Sequence, residues 1–539
     1  MNNNFLLEVK RRVEIGENEW SKKFPDVLVP HRVEHGDGRF YLSGYFVSFD
    51  DDHIEKNLFA KICQGGFGSL VNSNSQFVLF FLDRKTKTLT VGVDQFLSLP
   101  CYFAEVGDSL IFSSSIGRIK KEIRPHKKLK VNLDKVLSYI LREFSNTDST
   151  LVEQIKIIPG GCEAIFDLNQ LGDYKIRSLV DIDGYYASVP VVKYDSLETF
   201  ASDWVALLTE LVLRRYRTIP TGTNIGCDVS SGFDCALIAY CMSQVLPHGS
   251  FTGYSNYSQI MGDENNLDIV RRFAKLHQFS LKTFDYTSDS KHEMDLDLAW
   301  ADDPLHPFYF VHHLPYVKFL ANQGVGVLFS GDYGDEAYDM KQMELFSRFP
   351  IQQAYFRSVR AFRKKIDPDI FPKEASELFL DWNRYNQRGY YPLIVPENSV
   401  SYQPLIEGYN DHGIVLLHVF NDTRLLALST QAPLPSGTGS DQLKELLVPY
   451  FRSIMPENYY ATSNACEPFV YFFMNQKSFV DTVLDNSALA EMGLIKVEHI
   501  LKLVHDPQSE IYTSKDSQRA VQIYELLKLD WYLQKNNIG

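Results

Sequence analysis

The sequence is poor in the features that mark several classes of protein. Its 539 residues include only seven cysteines, and no two of them form a C-x-x-C pair. This predicts reduced thiols rather than a disulfide framework or a zinc site. No apolar run approaches the roughly 20 residues of a membrane-spanning helix, and the polar amino terminus does not resemble a secretory signal. We therefore expect a cytoplasmic protein with no membrane partner.

Positive charge is also scarce. Lys and Arg number 54 against 68 Asp and Glu, which gives a net charge of −14. Nucleic-acid binding depends on a dominant positive field, so we expect no nucleic-acid partner. The composition, 45% hydrophobic and 23% charged, is that of a globular protein and excludes a mainly disordered or fibrous chain.

Two kinds of pattern divide the chain. Up to about residue 190, short β-type runs at 76–82, 88–93 and 109–113 alternate with turns, and a helical period covers 133–141. From about residue 191, long amphipathic helices alternate with short apolar strands, which predicts a doubly wound parallel sheet. The last part of the chain is helical in period. We predict an α/β protein with a β-rich domain at 1–190 and a second domain at 191–539 that has a helical C-terminus.

A short Ser/Gly segment, Val229-Ser-Ser-Gly-Phe-Asp-Cys235, lies between a predicted strand and a predicted helix. In a parallel sheet, ligands bind at the carboxyl ends of strands, where the next helix offers free backbone N–H groups to phosphate. The chain has no Gly-Lys-Ser/Thr ending of a Walker A loop. Asp234 instead places a carboxylate near the phosphates, which is reasonable only with a divalent cation between them.

A second segment, Ser330-Gly-Asp-Tyr-Gly-Asp-Glu336, follows another apolar strand. Mg²⁺ prefers oxygen ligands, commonly one or two carboxylates plus phosphates and waters. Asp234 and Asp335 are the predicted metal ligands, and ATP and Mg²⁺ the predicted cofactors. Such a site suits attack on the α-phosphate of ATP with release of pyrophosphate. Either segment alone is equally typical of a helix cap or of solvated loop acids.

These two segments resemble the Ser-Gly-Gly-x-Asp-Ser and Ser-Gly-x-Gly-Gly-Asp-Glu motifs of the asparagine synthetase superfamily. The resemblance extends to 76–115 and 158–161, which are similar to the family's Ntn-type glutaminase domain. The helical tail is laid out like that of lasso-peptide cyclases. The resemblance implies an ATP-pyrophosphatase synthetase domain that adenylates a carboxylate and lets an amine displace AMP. It implies these nucleotide-binding residues: Val229, Ser230, Ser231, Gly232, Phe233, Asp234, Gly253, Ser330 and Gly331.

The chain departs from the family motifs at Ser231 and Tyr333, where the family has Gly, and at Cys235, where it has Ser. Ser231 fits the turn if its φ is negative. The family's catalytic lysine also has no counterpart in 459–466. Lys444 is close in sequence, but a solvated lysine is the expectation there.

Glutamine-dependent members of the family use a cysteine directly after the initiator Met, and this chain has Asn2. Glutamine hydrolysis is therefore not expected, and the amine comes from elsewhere. The branches without this cysteine include β-lactam synthetases and lasso-peptide cyclases (macrolactam synthetases), in which a substrate amine closes a ring. Asp332 occupies the position of the family's acidic catalytic residue, which favours an ordinary or peptide amine.

We therefore predict an ATP-dependent, AMP-forming carbon–nitrogen ligase. Its expected substrate is a carboxylate in a precursor peptide, with a leader-processing protease as a partner and a natural product as the outcome. Two alternatives remain at this stage: an ammonia-dependent asparagine synthetase-like enzyme, and a degenerate ATP- or peptide-binding protein.

Overall fold

The amino-terminal half forms two antiparallel sheets. The computed structural model describes residues 6–10, 32–49, 52–70, 74–96, 98–141, 148–170, 172–180, 194–257, 264–286, 310–335, 337–338, 367–385, 405–435, 444, 447–448, 451, 454–455, 467–513 and 518–536. The strands of this half are β1 (Leu6–Lys10), β2 (Arg32–Gly36), β3 (Phe40–Ser48), β4 (Ser75–Asp83), β5 (Thr88–Val93), β6 (Tyr102–Val106), β7 (Ser109–Ser113), β8 (Lys156–Ile157), β9 (Cys162–Asp167) and β10 (Tyr174–Ser178).

These strands build a six-stranded sheet of order β10-β9-β5-β4-β3-β2 and a four-stranded sheet of order β1-β7-β6-β8. Alternate side chains of the two sheets, such as Phe80 and Phe112, meet edge to face at 5.3 Å inside one apolar cluster. The outer face of the six-stranded sheet is covered by Leu58 and Ile62 of helix α1 (Asp52–Gly65). The result is a layered α/β unit in which both sheets bury one face against each other.

A helical layer covers the four-stranded sheet and includes the end of the chain. The helices of this layer are α2 (Ile116–Ile123), α3 (Leu133–Leu141), α8 (Lys373–Tyr385), α10 (Glu467–Asn475), α11 (Lys477–Asp485), α12 (Ala488–Glu491), α13 (Val497–His505), α14 (Glu510–Thr513) and α15 (Gln518–Lys535). Their apolar faces share one cluster with Tyr102 and Ile111 of the sheet. The Nζ of Lys120 in α2 donates to Asn536 Oδ1 at 3.2 Å, which ties the carboxyl-terminal helix to the amino-terminal half.

The other half is built on a five-stranded parallel sheet. Its strands are β11 (Ile225–Asp228), β12 (Thr252–Tyr257), β13 (Ser280–Asp285), β14 (Val327–Ser330) and β15 (Val415–His418), and its helices are α4 (Leu197–Arg217), α5 (Phe233–Val245), α6 (Glu264–Leu276), α7 (Phe310–Asn322) and α9 (Thr423–Ser429). The strand order is β13-β12-β11-β14-β15. The order reverses between β11 and β14, so the topological switch point lies between these two strands.

Helices lie on both faces of this sheet. Cys227 and Phe329 join the cluster that contains α4 and α5, whereas Leu328 and Tyr254 join the cluster that contains Tyr316 of α7. Helix α4 has the residues that typically begin and end a helix. The Ser196 side chain accepts a hydrogen bond from the N–H of Thr199 at its start, and three arginines lie in its last turn. The expected mixed α/β class, with antiparallel sheets, a parallel sheet and a helical C-terminus, is confirmed.

The two halves touch through specific hydrogen bonds. The Asn74 side chain accepts from the N–H of Thr423 at 2.9 Å, and the carbonyl of Phe49 accepts from Arg214 at 3.1 Å. Phe96 of the amino-terminal half is buried in the α4–α5 cluster. The assignment of the halves to residues 1–190 and 191–539, and to Ntn-type and ATP-pyrophosphatase domains, stays a prediction. Within the described ranges, no helix combines the length and apolar composition that crossing a bilayer requires.

Candidate functional site

The two predicted loops leave neighbouring strands on the same edge of the parallel sheet. Cys227 of β11 pairs with Phe329 of β14 in parallel register, so the segments after Asp228 and Ser330 emerge side by side. This edge is the carboxyl edge at the switch point, where open α/β sheets bind ligands. The structure therefore brings together the two segments that the sequence singled out.

The first loop ends in an open helix start. The Ser230 hydroxyl accepts a hydrogen bond from the N–H of Gly232 at 3.1 Å, and Gly232 is the N-cap of α5 with no side-chain cap. The N–H groups of the first turn of α5 therefore lack the usual side-chain acceptor. These N–H groups give the start of α5 a partial positive charge at the carboxyl edge of the parallel sheet. Ser231 does not adopt a positive φ, so it fits the turn without strain.

The two loops touch each other through glycines. A Cβ added to Gly331 would lie 2.6 Å from the Cys235 nitrogen, and one added to Gly334 would lie 2.6 Å from Cγ of Asp234. No side chain fits at either position without a shift of the neighbouring atoms. The absence of a Cβ at these two glycines therefore lets the second loop approach the start of α5 and the carboxylate of Asp234.

Asp234 and Asp335, which we call the acidic pair, converge on a single cation. Nζ of Lys444 lies 2.8 Å from Oδ2 of Asp234 and also hydrogen-bonds Oδ1 of Asp335. The expectation that Lys444 is a solvated lysine is therefore wrong: its side chain is 19% exposed. Burial would lower its pKa, but the two carboxylates outweigh burial and raise it. Lys444 is a charged member of the site.

Asp234 is only half satisfied by this contact. Its Oδ1 is buried and has no hydrogen-bond partner. Burial, with a contribution from Asp335, raises the pKa of Asp234 to about 6 despite the nearby ammonium of Lys444. A buried carboxylate oxygen without a donor is costly unless a further cation or donor binds it.

The acidic pair fits a divalent cation by its chemistry. Asp234 supplies a buried carboxylate oxygen that has no donor, and Asp335 supplies a carboxylate on a side chain that is 60% exposed. No cluster of three or more His, Cys, Asp or Glu side chains suited to a metal occurs in the described part of the chain. Mg²⁺ commonly takes one or two carboxylates and completes its shell with phosphates and waters. The residues present therefore match Mg²⁺ bound together with a polyphosphate.

Asp332, the predicted catalytic residue, lies on the second loop, between Ser330 and Asp335 in sequence. The hydroxyl of Ser330 accepts a hydrogen bond from the N–H of Asp332 at 3.2 Å. Oδ2 of Asp332 lies 3.7 Å from Nδ1 of His418. Burial raises the pKa of Asp332 to about 6, and the charge of Asp234 adds to the rise. Its protonation therefore changes near neutral pH, which suits a group that exchanges protons.

A further acid, Asp228, escaped the sequence analysis. It is the last residue of β11, and its Oδ1 accepts a hydrogen bond from the Tyr316 hydroxyl at 2.6 Å. Burial raises its pKa to about 7, and Asp332 contributes to the rise. The available signal was an acidic residue at the end of an otherwise apolar strand, directly before the first loop.

Two departures from the family motifs have structural explanations. Tyr333 has φ = 66°, a left-handed conformation that favours glycine. Its ring is nonetheless fixed by burial, by an edge contact with His418 at 4.9 Å and by a 3.4 Å hydrogen bond to the carbonyl of Phe96. The thiol of Cys235 faces Gly331, since a Cβ there would lie 2.7 Å from Sγ. Its side chain therefore packs between the loops.

The remaining predicted nucleotide-binding residues differ in what they expose. Val229 and Phe233 are buried in the α4–α5 cluster, so only their backbones are available to a ligand. Gly253 lies within β12, where an added Cβ would clash with the Phe279 ring at 2.7 Å. Close packing explains this glycine, and its contact with a nucleotide stays a prediction.

Comparisons with known proteins add little to this geometry. No family model matches the sequence, and no curated protein matches it. Three similar solved structures have TM-scores of 0.19, 0.21 and 0.19. TM-scores of this size do not establish a shared fold, so the function below rests on the geometry of the site.

The first of these is the structure of the allosteric regulatory enzyme of purine biosynthesis, 8% identical, with 47% of this chain and 62% of that chain covered. The U34-tRNA thiolase NcsA from Methanococcus maripaludis, with its [4Fe-4S] cluster, is 11% identical, with 49% and 86% covered. Glutamine phosphoribosylpyrophosphate (PRPP) amidotransferase from B. subtilis, complexed with ADP and GMP, is 9% identical, with 56% and 64% covered. The chain thus spans less than two thirds of the first and third proteins.

Proposed function

We propose that this protein is an ATP-dependent amide-bond synthetase. It joins a substrate carboxylate to the α-phosphate of ATP, releasing pyrophosphate, and a substrate amine then displaces AMP to form the amide. The observation that carries the proposal is the convergence of Asp234 and Asp335 on one position at the switch point of the parallel sheet. Two carboxylates beside an uncapped helix start suit a magnesium-bound polyphosphate better than a neutral ligand.

Each part of the site has a separate task in this reaction. The first turn of α5 offers backbone N–H donors to phosphate oxygens, and the acidic pair would hold Mg²⁺. When bound, the metal neutralises the charge of the departing pyrophosphate. Lys444 lies between the two carboxylates. Its positive charge also stabilises the departing pyrophosphate. Asp332, on the same loop, takes up the proton of the attacking amine.

The substrate we propose is a precursor peptide that carries both the carboxylate and the amine, so that the product is a macrolactam. The support is an acid, Asp332, on the same loop as Asp335, which can take up the proton that the attacking amine must lose. Holding both reacting groups in one molecule converts a bimolecular encounter into an intramolecular step. A lasso-cyclase-like role with a leader-processing protease as partner is the form of this proposal that the sequence resemblance suggests.

AMP formation tests the proposal directly. Purified protein is incubated with Mg-ATP and peptides that combine a free amino terminus with one internal Asp or Glu, and AMP is measured by chromatography. We expect AMP and pyrophosphate in equal amounts, with loss of one water from the peptide by mass spectrometry. AMP formation that needs ammonia and aspartate instead of a peptide would favour the asparagine synthetase-like alternative.

One observation favours the binding-protein alternative. The ammonium of Lys444 already compensates both members of the acidic pair, as it would in a site that no longer binds metal. In that case the protein binds an ATP analogue with the same affinity in Mg²⁺ and in EDTA, and it forms no AMP with any peptide. A metal-dependent increase in affinity excludes this alternative.

A further inference from the structure

One arginine at the end of helix α4 is buried, although arginine side chains are usually exposed. Arg217 of the same turn is exposed, whereas Arg215 is 1% exposed. The Arg215 guanidinium lies over the Phe49 ring, with Cζ 4.5 Å from the ring centroid, and its Nε donates a hydrogen bond to the carbonyl oxygen of His418 at 2.8 Å. Burying a charge is costly unless its donors are used. Arg215 is therefore committed to specific partners.

The partners of Arg215 lie on the segment that follows β15. Its guanidinium also donates to Oδ1 of Asn421 at 3.2 Å and lies 3.5 Å from Oδ2 of Asp422. Both of these residues are buried. Because the guanidinium is planar and rigid, contacts from one such group fix the direction in which the chain leaves β15. This segment begins at the carboxyl edge of the parallel sheet, where the candidate site lies.

His418 connects this segment to the second loop. It is the last residue of β15, and it pairs in parallel register with Ser330, where the second loop begins. Its ring is buried, packs edge to face on the Tyr333 ring at 4.9 Å, and places Nδ1 3.7 Å from Oδ2 of Asp332. At this distance the imidazole makes a packing contact rather than a direct hydrogen bond. It therefore bounds the space in which the Asp332 carboxylate can lie.

The amino-terminal half contacts the other side of Arg215. Phe49 follows strand β3, and its N–H donates to the carbonyl of Asn74 at 3.0 Å. The Asn74 side chain accepts from the N–H of Thr423 at 2.9 Å. Thr423 comes directly after the segment that Arg215 holds. The amino-terminal half therefore fixes both the guanidinium and the segment after β15.

We propose that Arg215 and His418 are positioning residues through which the amino-terminal half fixes the carboxylate of Asp332 for the amide-forming step. The inference rests on the proposed function. In that step the amine nitrogen bonds to the acyl carbon, the bond from this carbon to the AMP oxygen breaks with its electrons going to AMP, and the amine loses one proton to Asp332. A misplacement of about 1 Å can cost about 100-fold in rate. The acidic pair is held by different contacts, from Lys444 and Gly334, so adenylation should not depend on this positioning.

The two steps of the reaction can be measured separately with the full-length protein. The probes are the peptides of the AMP assay, which have a free amino terminus and one internal Asp or Glu, and the N-acetylated forms of these peptides. The acetylated peptide keeps the carboxylate and lacks the amine, so exchange of labelled pyrophosphate into ATP reports adenylation alone. Loss of one water from the free peptide, followed over time by mass spectrometry, reports amide formation.

We expect His418→Asn to slow amide formation about 10-fold or more and to leave pyrophosphate exchange within about two-fold of the wild type. Arg215→Met should give the same pattern. Arg215→Lys, which keeps the charge but not the planar fork of donors, should cause a smaller loss. Asp268→Asn, at an exposed acid of α6, is the control and should leave both steps unchanged.

A double variant distinguishes the positioning of Asp332 from general support of the fold. In an Asp332→Asn background, His418→Asn should cause no further loss of the residual amide formation, because the carboxylate that it positions is absent. Affinity for a non-hydrolysable ATP analogue, measured in the same samples, reports whether each variant is folded. Should Arg215→Met not fold, His418→Asn and Arg215→Lys carry the test.

Equal losses in both steps in folded His418→Asn, unchanged amide formation in this variant, or an added loss in the double variant would overturn the proposal. In these three cases pyrophosphate exchange by the wild type still supports the proposed function. Absence of exchange in the wild type with every peptide would instead defeat the proposed function, and this inference with it.

Discussion

Asp94, directly after strand β5 of the antiparallel half, is a buried acid, whereas Asp234, in the first turn of α5 of the parallel half, is partly buried. Burial raises the pKa of each to about 6. Asp94, 1% exposed, accepts hydrogen bonds from the N–H groups of Phe77 at 3.2 Å and Phe96 at 2.9 Å, and from Ser98. Asp234 has one oxygen on Lys444 and one with no partner.

The difference shows that a raised pKa does not by itself identify a functional acid. Asp94 organises the backbone that follows β5, and its donors come from Phe96 and Ser98 of that segment and from Phe77 on the adjacent strand β4. Asp234 has an oxygen left over at an edge where two loops meet. The unsatisfied oxygen distinguishes the acid that awaits a ligand from the acid that holds the scaffold.

The largest expected effect is on turnover by Asp234→Asn. We expect AMP formation to fall by about a thousand-fold or more, equivalent to roughly 4 kcal/mol of transition-state stabilisation, because the variant removes a metal-ligating charge. Asp268→Asn is the matched surface control and should retain full activity. Turnover in Asp234→Asn within a few-fold of the wild type would place Asp234 with Asp94 as a scaffold acid.

For the free energy of unfolding, we expect the larger loss at Asp94 rather than at Asp234. At pH 5, Asp94→Ala should lower the free energy of unfolding by about 3 kcal/mol, since buried N–H donors lose their acceptor. Asp234→Ala should change it by less than about 1 kcal/mol. Chemical denaturation followed by far-UV circular dichroism checks both values. A larger loss in Asp234→Ala than in Asp94→Ala would reverse the comparison.

The pH dependence of stability should separate Asp94 from an ordinary acid. Its pKa is near 6 in the folded protein and about 3.9 in an unfolded chain, so between these values the folded state binds more protons. The stability contributed by protonated Asp94 is therefore present at low pH and is lost as pH rises toward 6, by up to roughly 3 kcal/mol. Denaturation curves from pH 4 to pH 7 should show this fall in the wild type and a flatter profile in Asp94→Ala. Parallel profiles would contradict the shift.

A smaller effect is expected at Lys444. Lys444→Met removes a positive charge from the acidic pair, and we expect about 10-fold weaker binding of a magnesium–ATP analogue by calorimetry, or roughly 1.4 kcal/mol. Lys444→Arg should recover part of the loss. Tighter nucleotide binding in Lys444→Met would show that this lysine blocks the site, as the binding-protein alternative requires.

The smallest effect is expected at the contact between the halves. Tyr333→Phe removes the 3.4 Å hydrogen bond to the Phe96 carbonyl and keeps the buried ring, so the free energy of unfolding should fall by less than about 1 kcal/mol. Nucleotide affinity should not change. A marked loss of nucleotide affinity would mean that this contact positions the second loop.

The periodicity of apolar residues predicted several helices and strands correctly. The helix at 133–141 and the strands at 88–93 and 109–113 are found with the predicted bounds, because each has a strong period and is bounded by turn residues. The two loops were also predictable, since Gly-rich segments with acids directly follow apolar strands.

Lys444 and Asp228 were beyond such reasoning for different reasons. Lys444 lies 210 residues from Asp234 in sequence, and only the packing of distant segments brings their charges together. Asp228 is a single acid with no companion at a recognisable spacing. Its partner Tyr316 is 88 residues away on a helix of the opposite face.

The most direct test of the central claim is a titration with Mn²⁺ monitored by electron paramagnetic resonance in the presence of a non-hydrolysable ATP analogue. We predict one tightly bound Mn²⁺ per chain in the wild type and its loss in Asp234→Asn and in Asp335→Asn, with Asp268→Asn unchanged. Retention of the same tightly bound Mn²⁺ in a variant that lacks both carboxylates would contradict the account.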